Sequence, residues 1–166
     1  MAGAAARRRT AGVTGAWQSL FRLLVGVYWL YFAATKWPVD LGLTDHGIDW
    51  VHPIMVTVSK VEPIDPIRQL MVQVVLPNWQ VFAIAQTIGE TLVGALLVLG
   101  LLTRPAALLG TLLAIGLSLT IAFSVTDIGV RWLYYLPILA SFEVFVQGPG
   151  AVAIDRALPG PRWLRS

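Results

Sequence analysis

The chain reads as an all-α integral membrane protein, a bundle of four transmembrane helices. Three observations predict this class. First, 57% of its 166 residues are hydrophobic and only 13% are charged, and its mean hydropathy is +0.72; a soluble domain carries about twice that share of charge. Second, four apolar runs occupy residues 17–34, 79–102, 105–125 and 130–147, each near the roughly 20 residues that cross a bilayer core. Third, none of the runs alternates apolar and polar residues. In lipid only helices and closed barrels satisfy their own backbone, and a barrel strand would alternate.

The elements follow in order. Residues 1–15 are small and basic, with Arg7, Arg8 and Arg9, and are expected to form a mobile cytoplasmic tail. Residues 16–150 form a single membrane domain. Its first span carries Arg22 together with Tyr28, Trp29 and Tyr31. These interrupt the apolar core that a cleaved signal sequence needs, so the span is expected to be retained. Residues 38–78 form a long outer connection. Within it Asp65 is a helix N-cap, Pro66 suits the first helical position, and Pro77 is a stop. Residues 66–76 are too short to span and largely apolar, so an interfacial helix at a steep angle to the spans is expected there. Residues 47–61 read as a second such segment. Span two holds Glu90 in an otherwise uncharged run. Thr103-Arg104-Pro105 is a short turn that makes spans two and three an antiparallel hairpin. Ala106, Gly110 and Ala114, and likewise Ala85 and Gly89, place small residues where helices pack closely. Gly148-Pro149-Gly150 ends span four, and residues 151–166 form a cytoplasmic tail with a short amphipathic piece.

Charge distribution orients the bundle. Arg7, Arg8, Arg9, Arg104, Arg156, Arg162 and Arg165 fall on one side; acids dominate the other, with Asp40, Asp45, Asp49, Glu62, Asp65 and Asp127. The positive-inside rule then places both termini in the cytoplasm of a multi-pass protein of the cell membrane. Trp37, Trp50, Trp79 and Trp132 would belt the outer interface. The net charge of +3 is no nucleic-acid signal, and membrane lipid is the expected environment.

Composition also excludes chemistry. The chain has no cysteine, which removes disulfides, thiolate nucleophiles and Cys-ligated metals. Its two histidines, His46 and His52, lie between spans, so a bis-histidine haem within the bundle is excluded. No metal site is expected. The histidines with Asp45 and Asp49 read more naturally as solvated loop residues.

Three segments carry a resemblance. The first span contains Leu20-Phe21-Arg22-Leu23-Leu24-Val25-Gly26 and ends in Lys36. Residues 70–110 contain GETLVGALLVLGLLTR. The fourth span ends in Gly148-Pro149-Gly150, followed by Ile154-Asp155-Arg156. Together, over residues 20–156, the chain resembles the DoxX/DoxD superfamily of four-helix membrane proteins. DoxD resembles the membrane subunit of thiosulfate:quinone oxidoreductase. The resemblance therefore implies a quinone-linked oxidoreductase subunit that passes electrons from thiosulfate to quinone, with a separate partner subunit.

Glu90 is the leading candidate residue, because an ionisable group at membrane mid-depth is a functional-site hypothesis by default. With Trp37, Trp79 and Trp132 at one level, Glu90 and Glu143 lie about 16 Å below it and Arg22 about 22 Å. Arg22, Glu90 and Glu143 are thus expected to meet, with Gln86 one turn above Glu90. Such a set is either an ion pair that fixes helix register or a proton and quinone site, with Glu90, Arg22 and Glu143 catalytic and Gln86, Arg22 and Glu90 holding the quinone. A transport pathway is a further possibility. Lys36, Lys60, Arg68 and Arg131 form an outer basic set that either attracts an anion or snorkels to the interface. The alternative to the oxidoreductase is a non-catalytic structural or assembly subunit of a larger respiratory or photosynthetic membrane complex, and other protein subunits are expected partners in either case.

Overall fold

A computed structural model of the chain describes residues 2–37 and 47–157, with side chains from residue 14 onward. Among the described residues every regular element is helical. α1 runs Ala2–Ala34, α2 Val51–Val61, α3 Asp65–Leu70, α4 Trp79–Leu99, α5 Thr103–Leu117 and α6 Ile128–Gln147. The basic segment expected to be mobile is helical from Ala2. Its alanines and arginines are strong helix formers and no proline interrupts them.

Among the described residues three helices are long and apolar enough to cross a membrane: Asp65–Leu99, Thr103–Ala122 and Ile128–Gln147. α1 is long enough at 33 residues, but Gln18, Arg22 and its ring of Tyr and Trp dilute its apolar half. The four long helices pack in a cycle, α1 on α4, α4 on α5, α5 on α6 and α6 back on α1. Val25, Trp29, Val93, Leu97, Ala106, Ala107, Ala114 and Val144 form the shared core.

Close approach of α1 and α4 depends on two glycines. A Cβ on Gly26 would lie 2.9 Å from the Val98 backbone nitrogen, and one on Gly94 would lie 2.8 Å from that of Leu30. Ala106, Gly110 and Ala114 are buried as the spacing predicts. On α4 the packing stripe is instead Ala83, Thr87, Glu90, Val93, Gly94 and Leu97; Ala85 is exposed.

Pro77 does not stop the helix. The path continues through a π-helical turn at Met71–Val75 and a 3₁₀ turn at Leu76–Asn78 into α4. The wide π turn shifts the carbonyls out of the ordinary register, so the missing N–H of Pro77 leaves no regular bond broken. The expected separate helix over 66–76 is therefore the first part of a 35-residue helical segment.

α1 meets the others out of step. At one end of the bundle, here the near end, Ala151 N donates to the Gly15 carbonyl, and Asp155 N donates to the Gly100 carbonyl, both at 2.9 Å. From Arg22 at that end to Lys36, α1 and its terminal turn rise only about 21 Å, whereas α5 with its π-helical extension rises about 30 Å. The shortfall leaves a gap beyond the last turn of α1. α2 and the Met71–Val75 turn close over it.

Candidate functional site

The gap is a cavity of about 530 Å³. The end of α1 contributes Phe32, Thr35 and Lys36; α2 contributes Val51, Ile54, Met55 and Val58. Phe82, Ala83 and Gln86 come from α4, and Gly116, Leu117, Thr120 and Ile121 from α5 and its extension. The wall is mostly hydrocarbon, and Lys36 and Gln86 bring its polar group to the end of α1.

There Lys36 Nζ donates to both carboxylate oxygens of Glu90, at 2.5 and 2.7 Å. Gln86 Nε2 donates to Oε1 at 2.9 Å, one turn away on the same helix. Glu90 is 0% exposed, while the Lys36 side chain keeps 12% exposure and lines the cavity. Lys36 also sits over the Phe32 ring, 5.5 Å from its centroid. Trp37 Nε1 donates to Thr91 Oγ1 at 3.2 Å and fixes the chain that carries Lys36 against α4.

Glu90 and Gln86 thus come together as the sequence predicts, but Arg22 and Glu143 do not join them. Arg22 lies at the near end, where its Nη2 donates to the Val152 carbonyl at 2.7 Å and its head packs on Gly100. Gly100 is ten residues from Glu90 along α4, about 15 Å of helix. The error lies in the tryptophan levels. Trp37 is not at the level of Trp79 but at that of Thr91, so every depth counted down from Trp37 was too shallow. Glu143 faces outward from α6, is exposed, and accepts from Gln147 on its own helix.

The Arg22 end is a fastening. Asp155 accepts from Leu102 N at 2.7 Å and Thr103 N at 2.8 Å, so it caps α5 from the far end of the sequence. Ser19 Oγ accepts from Val152 N at 2.9 Å. Gly150 has φ +76°, and a Cβ there would lie 2.6 Å from Ser19 N. These contacts account for the arginine, the glycines and the Ile154-Asp155-Arg156 segment that carry the resemblance.

The outer basic set is not a cluster. Lys36 is turned inward, Arg68 pairs with Asp65 three residues away, and Arg131 Nε donates to the Val125 carbonyl at 2.5 Å. Lys60 is exposed. His52 stacks on Trp79 with ring centroids 4.9 Å apart; His46, Asp40 and Asp45 lie outside the described residues, as do Arg162, Trp163 and Arg165.

Sequence reasoning missed two residues. Lys36 is read from the sequence as part of an outer basic set that attracts an anion or snorkels, and its position just past the first span gives no sign of an inward direction. Glu62 is 1% exposed. Its Oε1 accepts from Ile64 N and its Oε2 from Ser124 Oγ, both at 3.1 Å. It fastens the α2–α3 corner to the end of the α5 extension, so the cover of the cavity is held at its far edge. Nothing in the loop sequence marks Glu62 as inward-facing.

No curated protein and no solved structure matches the chain. The DoxX family model matches residues 18–123, a range that holds Arg22, Lys36, Gln86, Glu90 and every cavity-lining residue named above. The chain is a membrane protein that belongs to the DoxX family.

Proposed function

We propose that the chain is the membrane subunit of a quinone-linked oxidoreductase and that the cavity beside Lys36 holds the quinone. The observation that carries this reading is an apolar chamber of about 530 Å³ with one buried carboxylate–ammonium–amide group in its wall. Small-molecule sites commonly have this size and this balance of apolar wall and few polar groups. Lys36 has a third N–H beyond the two given to Glu90, and Gln86 has a second amide N–H; both suit a carbonyl oxygen. A bound quinone would supply a two-electron, two-proton acceptor. Lys36 holds a proton at the chamber wall, Glu90 behind it stabilises the ammonium form, and Gln86 orients Glu90. Electrons would come from a donor such as thiosulfate oxidised on a separate subunit.

In this reading α1 is a fourth span and both termini are cytoplasmic, since Arg104 and Arg156 lie at the near end. The chamber then lies in the outer half of the membrane, under α2. The 35-residue segment Asp65–Leu99 is about 52 Å long, against a hydrocarbon core of about 30 Å. Its first turns therefore lie outside the core.

Gly116 provides the test. It lines the chamber, and a Cβ there has no neighbour within 4 Å. Gly116 is exposed as well as lining the chamber, so Gly116→Leu should narrow it at that side with no clash at Cβ. Binding of decylubiquinone to protein in nanodiscs should fall by at least about tenfold, with the melting temperature held or raised. Undiminished binding would remove the quinone from this chamber.

Glu143 favours a second reading, a structural subunit of a larger membrane complex. It is exposed on α6 amid Leu139, Phe142 and Val146, which are exposed too, and a carboxylate facing lipid is costly. A partner helix with a donor at that level would cover it. Glu143→Leu should then release the chain from its complex on native gels; unchanged migration counts against a partner at this face.

A further inference from the structure

We infer that Glu90 sets the charge class of the ligand: its pairing with Lys36 makes the chamber accept neutral carbonyl or hydroxyl heads and reject anionic ones. The inference rests on the reading that the chamber holds an amphiphilic ligand, and it does not depend on that ligand being a quinone.

Lys36 is the charged residue among those that line the chamber. An ammonium in an apolar wall would ordinarily recruit an anionic head, such as a fatty-acid carboxylate. Here its counter-charge is already in place. Both Glu90 oxygens lie on Nζ at 2.5 and 2.7 Å. Glu90 itself is fully buried behind Lys36 and is not part of the chamber surface. Gln86 holds one of its oxygens from the side. The ligand therefore meets a neutral dipole with N–H groups directed outward, not a cation. An anionic head would give up its hydration in an apolar chamber without gaining a net opposite charge. A neutral acceptor gives up much less and still finds the remaining N–H of Lys36 and of Gln86. Were the chamber built for an anion, the Glu90 carboxylate already on the ammonium would defeat it. Glu90 removed, the same wall would present an uncompensated cation.

Isothermal titration in nanodiscs, corrected against empty nanodiscs, tests this with dodecanol and dodecanoate, which share a chain and differ in head charge. Wild-type protein should bind dodecanol at least about tenfold more tightly than dodecanoate. Glu90→Gln should shift the ratio toward dodecanoate by about tenfold or more, and Lys36→Met combined with Glu90→Gln should abolish that shift. Equal binding of the two probes by the wild type would overturn the inference, as would an unchanged ratio in a folded Glu90→Gln variant. If Glu90→Gln does not fold, the wild-type ratio decides. Preference for dodecanol with no binding of decylubiquinone would defeat the quinone reading and leave this one standing; binding of neither alkyl probe would defeat both.

Discussion

At the scale of single residues, Glu90 and Arg22 belong to two independent groups. Glu90 belongs with Lys36 and Gln86; Arg22 belongs with Val152 and the Asp155 fastening. Lys36→Met would leave Glu90 buried with no cation, and breaking a buried pair in this way costs about 3–5 kcal/mol. Lys36→Met combined with Glu90→Gln should recover much of that loss, as thermal unfolding in detergent would show. Arg22→Met should destabilise too, but its effect should add to that of Glu90→Gln within about 0.5 kcal/mol, because the two sites share no partner. A coupling well above that value would restore the contact that the sequence suggested. The sequence made the inward direction of Glu90 legible, since a lone carboxylate in a long apolar run has nowhere else to go. It did not disclose the partner. The nominal depths bring Arg22 to Glu90 and Glu143, and only the stagger of α1 puts Lys36 there instead. That stagger is set by Gly26 against Gly94, a feature with no signal beyond two glycines among fifteen.

At the scale of elements, the helices survive their irregularities because other helices complete their backbones. Pro137 lies inside α6 and lacks the N–H that would reach the Leu133 carbonyl. Tyr28 Oη donates to that carbonyl at 2.9 Å from α1, and Ser118 Oγ donates to the next one, on Tyr134, at 2.8 Å. In lipid no water would do this. Tyr28→Phe should therefore cost about 1 kcal/mol in the wild type and much less in a Pro137→Ala background, where α6 supplies its own N–H. Equal cost in both backgrounds would show that the Tyr28 bond does not answer the proline. Asp155→Ala removes the trans cap of α5 and should cost about 0.5–2 kcal/mol, with Asp155→Asn recovering part of it; an unchanged melting temperature would mean that the cap is idle. Helix positions were the most legible part of the sequence, because apolar length fixes them. Pro77 was misread because a proline followed by a polar residue marks a stop in most contexts. Here a π turn precedes it, and π turns leave no composition signature.

At the scale of the whole molecule, the short reach of α1 explains the chamber. A bundle of four equal helices would fill its own interior. This one leaves about 530 Å³ because α1 ends at the level of Glu90 while α4, α5 and α6 continue. The same feature bears on topology. α1 falls outside the set of helices apolar enough to span, yet it packs along α4 and carries core residues Val25 and Trp29. If α1 crosses, its two ends lie on opposite sides, and an even number of spans returns residue 157 to the side of residue 14. If α1 does not cross, residues 14 and 60 share a side and three spans place residue 157 on the other. The chain has no cysteine, so single cysteines can be placed without a background. Thr14→Cys, Lys60→Cys and Ala157→Cys, treated with an impermeant maleimide in intact cells, should label only at position 60. Permeabilising the membrane should expose positions 14 and 157 as well. Labelling of positions 14 and 60 without 157 would reduce the bundle to three spans and leave the chamber under α2 on the outer side. Labelling of 14 and 157 without 60 would keep the four spans and invert them. In the inverted case the chamber wall of Lys36, Gln86 and Glu90 would be unchanged, and only the side to which it opens would move.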